Sequence, residues 1–116
     1  MKRKITAGEL SKILKEHERW YDTDEDEGEK VDLRYANLSY ANLSRANLYK
    51  AKLFGTDLSG ADLTVTSLSG ANLTQVLGLS INKLSKVKTL YETKIDPELK
   101  KQVKDEYPHL LEEPKP

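Results

Sequence analysis

Leucine recurs at every fifth position through the middle of the chain, nine times without a break. These leucines are Leu33, Leu38, Leu43, Leu48, Leu53, Leu58, Leu63, Leu68 and Leu73. A small or short side chain stands two positions before each leucine, and the residue between them is mostly Asn or Asp. The other two positions of each unit are mixed and mostly polar. Residues 31–75 are therefore nine consecutive units of the pattern A-(N/D)-L-x-x.

A period of five fits neither regular secondary structure. Successive leucines would drift around the surface of a helix, and on a strand they would alternate between opposite faces. Short extended pieces joined by one turn per unit remove this conflict. If four units complete one turn of a coil, residues twenty apart stack and the leucines form inner columns. Asn and Asp suit the turns because their side chains bond to nearby backbone. Gly55, Gly60 and Gly70 end their units, where unusual dihedral angles are expected.

The nine units resemble those of the pentapeptide-repeat family, and the resemblance covers residues 31–75. It implies an all-β solenoid of one particular kind, a right-handed quadrilateral β-helix, and the flanking sequences predict α-helical caps at both ends. The departures from the pattern are small or outward-facing residues, namely Lys52, Ser67, Val31, Thr56 and Thr66. Nine units make little more than two turns of such a coil, so both open ends need covering.

The N-terminal flank, residues 1–30, is predicted to be a capping helix followed by an acidic loop. Thr6 and Glu9 form a capping box, and apolar residues then recur at helical spacing over residues 7–21. Residues 22–30 are too highly charged to pack and are predicted to form a connecting loop.

The C-terminal flank, residues 76–116, is predicted to be a helical cap. Ser80 is a candidate cap for a short helix, and the extended segment 93–95 is interpreted as one more repeat. A longer helix is expected to start at Asp96 and Pro97 and to stop at Pro108, with residues 112–116 frayed. Apolar residues assigned to these two helices are Ile81, Leu84, Val87, Leu99, Val103 and Tyr107.

Composition narrows the choice of function. The chain has 116 residues, no cysteine, and 19 basic residues against 19 acidic ones. The absence of cysteine excludes disulfides and thiolate chemistry. No apolar run approaches the length of a membrane span, and no signal-peptide core follows the basic start. We therefore expect a soluble, cytoplasmic protein that does not bind membranes.

Candidate chemistry is sparse, and the sequence predicts no enzyme, no metal site and no cofactor. Asp22, Asp24 and Asp26 have the spacing that opens an EF-hand loop, but the required glycine and the final glutamate are missing. A solvated linker is the favoured interpretation. His17 and His109 lack partners at metal-ligand spacing, so packed or surface histidines are expected. No acid, base and nucleophile assemble in the sequence.

Outward repeat positions are the candidate binding surface, because the inward positions are filled. Aromatic and arginine residues anchor many interfaces, and the candidates are Arg34, Tyr35, Phe54, Tyr40 and Tyr49. Two interpretations stay open: these residues form an interface, or Phe54 simply packs under a flank or against the stem of Arg34. The predicted function is a non-catalytic scaffold or protein–protein interaction module with an unknown protein partner, with a homodimer as one option.

The family resemblance also implies an alternative role, binding of gyrase or another topoisomerase by imitation of DNA. Such mimicry needs a long rod with a continuous negative stripe. The three segments 1–30, 31–75 and 76–116 carry net charges of −2, +1 and +1. The alternative is therefore disfavoured, and scattered basic residues also argue against direct binding of nucleic acid.

Overall fold

The computed structural model describes residues 3–115. Three helices flank the repeat: α1 is Ala7–Asp22, α2 is Ile81–Leu84 and α3 is Pro97–Glu106. A short 3₁₀ helix at Pro108–Leu111 follows α3. Between the helices the chain pairs with itself through single-residue parallel β-bridges, and the described residues contain no longer strand. The coil thus consists of very short extended pieces, as the period of five predicts.

The bridges confirm that residues twenty apart stack in the repeat. Column 1 joins Asp32, Lys52, Asn72 and Lys94; column 2 joins Lys4, Asn37, Asp57 and Leu77; column 3 joins Asn42 and Asp62; column 4 joins Asn47, Ser67 and Thr89. Four repeat units therefore complete one turn of the coil. Each extra layer adds about 4.8 Å of height.

The interior of the coil is filled with leucine and small side chains. All nine repeat leucines are buried, the most exposed at only 4%. At the small position, Val31, Ala51 and Ala71 are also fully enclosed. Thr66 fits the same position because its hydroxyl donates to the backbone carbonyl of Leu43 at 2.7 Å. The coil interior is therefore a packed apolar column.

Each repeat unit ends in the same tight turn. In the first eight units, the amide that begins the next unit donates to the leucine carbonyl three residues earlier, as from Ala36 to Leu33 at 3.0 Å. The last residue of each unit has a positive φ, as a type II turn requires. Glycine meets this need at the three predicted positions, and residues with side chains meet it elsewhere: Tyr35, Tyr40, Arg45, Lys50, Val65 and Gln75. The Asn or Asp side chain supports most turns by accepting a backbone N–H two residues on, as Asn37 does from Ser39.

The N-terminal end is closed by α1, whose predicted position and capping box are confirmed. Thr6 accepts from the Glu9 amide and the Glu9 carboxylate accepts from the Thr6 amide. The segment before α1 adds an unforeseen layer to column 2, because Lys4 pairs with Asn37. The expectation that the acidic loop is too charged to pack is wrong at Gly28. Any side chain there would collide with the backbone of α1.

The columns continue beyond the last regular unit at the C-terminal end. Thr89 and Lys94 extend columns 4 and 1, so the extended segment expected at 93–95 is confirmed and a further one at Thr89 was missed. Helix α2 lies where column 3 would continue. It ends at Leu84, so Val87, which was predicted to belong to this helix, lies outside it. Helix α3 begins after Asp96 as predicted.

Two details of the C-terminal flank differ from the prediction. The Asp96 carboxylate accepts from the backbone amide of Gln75, at 3.1 and 3.2 Å, and does not cap its own helix. Tyr107 lies at the end of α3, and Pro108 both stops that helix and begins the 3₁₀ helix. The tail expected to fray extends to Pro116, which lies outside the described residues.

Candidate interaction surfaces

The packed interior leaves the outside of the coil as the place for function. Among residues 3–115 no group of three metal-ligating side chains comes together. No helix of this part of the chain is both long and apolar enough to cross a bilayer. The side chains predicted from the sequence as an interaction surface all lie at the turns, where they project from the corners between columns.

Tyr35 and Phe54 lie together at the corner between columns 1 and 2. Their ring centroids are 5.4 Å apart and the rings meet edge to face at 84°. The backbone fixes this pair, because the Tyr35 amide donates to the Phe54 carbonyl at 2.9 Å. Tyr35 is 58% exposed, whereas Phe54 is half-buried. Phe54 thus packs against an outward tyrosine.

Arg34 directly precedes Tyr35 and pairs with Asp32 of column 1. Its guanidinium makes two hydrogen bonds of 2.8 Å to the two carboxylate oxygens of Asp32. These bonds hold the pKa of Asp32 below its ordinary value. Because both groups are largely exposed, the pair contributes little to stability. It orients the Arg34 guanidinium toward Asp32 in column 1.

Tyr40 is the most exposed large apolar side chain among the described residues, at 82%. It projects from the next corner, between columns 2 and 3. Its ring lies over Gly60, and a Cβ at Gly60 would run into the ring. Tyr35 covers Gly55 in the same way, one corner earlier. These two tyrosines therefore bracket column 2, where Leu77 is also half-exposed at 52%.

We name the surface formed by Tyr35, Phe54, Tyr40 and Leu77 the aromatic strip. Three of its four members are among the exposed large apolar residues of the described chain. Leu77 was not recognised in the sequence, because it follows the last regular unit. The twenty-residue register signals it, since Leu77 lies twenty residues after Asp57 in column 2.

Tyr49 belongs to a different surface. It packs against α1, with its ring 5.4 Å from that of Tyr21 and 6.4 Å from that of Trp20. The Lys50 ammonium lies 5.3 Å from the ring centroid. Of the five predicted residues, the structure therefore brings Tyr35 and Phe54 together, places Tyr40 one corner away, and sets Tyr49 against the N-terminal helix.

A groove of about 440 Å³ runs along column 4 beside Tyr49. Its lining includes Tyr21 and Tyr49, the bases Arg45 and Lys88, and small side chains along the floor. Arg45 is not among the interaction residues predicted from the sequence. Nothing in the period of five brings it near Lys88, because α2 interrupts the repeat between them.

His17 is fully buried under the first turn of the coil, as a packed histidine. Its Nδ1 accepts from the Val31 amide at 3.0 Å, and its ring stacks on Trp20 at 5.3 Å. Burial is the main cause that lowers the His17 pKa, the charge of Lys30 adds to it, and the Tyr49 carbonyl opposes it. His17 is buried and its Nδ1 already accepts a hydrogen bond, so its imidazole is not accessible as a base. Its role is to pack against the end of the coil.

Comparison with known proteins agrees with the repeat. A family model described as pentapeptide repeats matches residues 29–64, in eight copies. No curated protein and no solved structure matches the chain significantly.

Proposed function

Residues 29–64 belong to the pentapeptide-repeat family, and from this premise we propose that the chain is a non-catalytic protein–protein interaction module. The module presents side chains at fixed positions on the outside of a coil. Its inward positions are taken up by Leu and Ala, which leave no room for a substrate inside. Two of its buried hydroxyls hold the backbone, since Thr66 donates to the Leu43 carbonyl and Thr93 to the Leu68 carbonyl.

We also propose that the coil is the right-handed quadrilateral β-helix that the family generally forms. The twenty-residue offset of the bridges supports four sides per turn. The repeated turn hydrogen bond and positive φ at every fifth residue support four equivalent corners. Such a prism has flat sides and is stiff, because every layer is bonded to the next.

The observation that carries the interaction role is the exposure of Tyr40 and Tyr35. A tyrosine that is 82% exposed leaves most of its apolar ring in water. Tyrosine is enriched at interface hot spots, since it offers a large contact area with few rotatable bonds. Both rings are held over glycines by the coil, so little conformational entropy is lost when a partner covers them.

The test is quantitative capture of binding proteins by the purified full chain. A double variant, Tyr35→Ser with Tyr40→Ser, is expected to lose the captured partner or, for a homodimer, to shift to monomer in sedimentation. Both changes lie at the surface, so the thermal unfolding midpoint is expected to change little. The control is Tyr91→Ser, at a corner of column 4 away from the strip.

The control is expected to retain the captured partner. Equal capture by the double variant and the control would contradict the assignment of the aromatic strip. A fall in stability with unchanged binding would show that the two tyrosines serve packing.

A further inference from the structure

The groove along column 4 differs in chemistry from the aromatic strip. Its lining includes small side chains, namely Ala46, Asn47, Ser67, Ser69 and Thr89. Arg45 and Lys88 line it together with Val65, and Tyr21 and Tyr49 also contribute. The lining contains two cationic side chains and no carboxylate, so the groove favours an anionic occupant.

Arg45 stands apart from the other arginines of the chain. Arg3, Arg19 and Arg34 each form an ion pair with a nearby carboxylate. Among the described residues no ion pair is found for the Arg45 guanidinium, which projects from an exposed corner beside the groove. Arginine binds carboxylates through a planar fork of N–H donors. An unpaired fork at the groove is the feature that a carboxylate ligand would use.

The chain's own tail shows what kind of segment this region accommodates. After the 3₁₀ helix the backbone becomes extended, with φ −85 and ψ 154 at Glu112. Pro114 then forms part of the groove lining. The charge of Glu113 contributes to raising the pKa of Tyr91, after the larger effect of Glu92, so this acidic tail runs close to the top of column 4. A short acidic segment of the chain itself, residues 112–114, thus already borders the groove.

We propose that the column 4 groove binds an extended acidic segment of a partner protein. Carboxylates of that segment pair with Arg45 and Lys88, and an apolar side chain between them packs on the rings of Tyr49 and Tyr21. The proposal rests on the interaction role proposed above, but it uses a surface separate from the aromatic strip. Because the pairs are exposed, binding is weak and sensitive to salt.

The shape of the groove favours a peptide over a nucleotide. Its lining carries one small amide and three hydroxyl side chains, Asn47, Ser67, Ser69 and Thr89, along stacked layers, which suits a chain running along the coil. A nucleotide site needs an enclosed pocket for a base and a cradle of backbone amides for phosphate. In column 4 the amides of Ser67 and Lys88 are instead used to hold the layers together.

The test is a selection of peptides from a random heptapeptide display library with the full chain as bait. Peptides bound to the unmodified chain are expected to be enriched in Asp and Glu. Arg45→Glu is expected to abolish this enrichment, and Lys101→Glu on α3, the same charge change at an exposed site elsewhere, is expected to preserve it. A selected peptide synthesised with Gln for Glu is expected to bind at least about threefold more weakly.

Three outcomes would overturn the proposal. The first is a selection without acidic enrichment, and the second is enrichment that Arg45→Glu leaves unchanged. The third concerns the amide signals of residues 45–47 and 88–89 in ¹⁵N spectra. The proposal is overturned if ATP or inorganic phosphate shifts these signals and the selected peptide does not. The variant with Tyr35→Ser and Tyr40→Ser separates the two hypotheses. It is expected to select the same acidic peptides even if it loses the partner of the aromatic strip.

Discussion

The two ends of the coil are closed by different chemistry. At the N-terminal end the buried contacts include an imidazole, His17, stacked on Trp20 and hydrogen-bonded to the Val31 amide. At the C-terminal end the buried residues of the flank are mostly hydrocarbon, namely Leu84, Val87, Leu90, Ile95, Val103 and Leu110. Both ends thus bury apolar side chains, but only the N-terminal end adds a buried titratable group, His17, to Ile5, Leu10 and Trp20.

This difference has consequences for stability. Hydrocarbon packing does not respond to pH, and its strength follows the buried apolar area. A neutral buried imidazole stabilises the fold only while it stays neutral. We therefore expect the C-terminal end to supply most of the stability and the N-terminal end to supply the pH sensitivity.

The largest effect is expected from removing apolar packing at the C-terminal end. Leu90 is fully buried, and its amide donates to the Leu110 carbonyl at 2.8 Å, which joins the repeat to the 3₁₀ helix. Leu90→Ala is expected to lower the free energy of unfolding by about 3 kcal/mol, as for other buried leucines. Urea denaturation followed by circular dichroism measures this change.

Leu77→Ala is the matched control, because Leu77 is half-exposed. It is expected to cost less than about 1 kcal/mol, since less apolar area is lost. Similar losses for Leu90→Ala and Leu77→Ala would mean that the C-terminal end is not a packed cap.

The second effect is a pH dependence of the free energy of unfolding, which arises from His17 at the N-terminal end. The folded-state pKa of His17 lies below its ordinary value of 6.5. The unfolded chain therefore takes up the proton first as the pH falls. The stabilisation is complete above about pH 6.5 and is lost as the pH falls from there through the folded-state pKa. For each pKa unit by which folding lowers the His17 pKa, the free energy of unfolding gains about 1.4 kcal/mol at high pH.

Urea denaturation at a series of pH values between about 7.5 and 5 tests this prediction. The lowered pKa values of Glu9, Asp32 and Asp62 act near and below pH 4, outside this window. His17→Gln is expected to flatten the profile, because its amide does not titrate. An unchanged profile in His17→Gln would refute the assignment.

The third effect concerns Thr6 and Asp96, the residues that directly precede α1 and α3. Thr6 caps α1 with its own side chain, whereas the Asp96 carboxylate binds the Gln75 amide of the coil. Thr6→Ala is expected to cost about 1 kcal/mol and to raise hydrogen exchange in the first turn of α1. Asp96→Ala is expected to raise exchange at Gln75, with little change in α3. Increased exchange within α3 in Asp96→Ala would show that Asp96 caps its own helix after all.

The regular part of the coil was predictable from sequence because each unit repeats the same local chemistry. The leucine positions predict the inner columns, the Asn and Asp positions predict the side-chain hydrogen bonds, and the Gly positions predict the turns. None of these predictions needs information about distant residues. The capping box at Thr6 and Glu9 is local in the same way. The aromatic candidates were predictable as outward-facing, since the register alone decides that.

The irregular features depend on contacts between distant residues and were not predictable. The pairing of Lys4 with Asn37 is a single bridge without a periodic signal. The α2 insertion shifts the register by two residues, which hides the layer at Thr89. The column 4 groove depends on that shifted layer, because it brings Lys88 to the same groove as Arg45.

The smallest change in the free energy of unfolding is expected for substitutions inside the coil, between its two ends. Thr56 and Thr66 both occupy the small position and are both fully buried. The Thr66 hydroxyl donates to the Leu43 carbonyl, whereas the Thr56 hydroxyl has no partner among the described residues. Because a buried unpaired hydroxyl is unfavourable, Thr56→Val is expected to be neutral or to stabilise by up to about 1 kcal/mol.

Thr66→Val removes the same hydroxyl but leaves the Leu43 carbonyl without that bond, so it is expected to destabilise by about 1 kcal/mol. Urea denaturation of the two variants at pH 7.5, where His17 is neutral, measures both signs. Opposite signs for two identical substitutions would show that hydrogen bonding decides the cost of a threonine in the coil. Equal destabilisation would instead mean that the added methyl group does not fit, and that the coil is packed too tightly at this position for valine. Such tight packing would extend the hydrocarbon closure of the C-terminal end through the whole coil and leave the imidazole end as the exception.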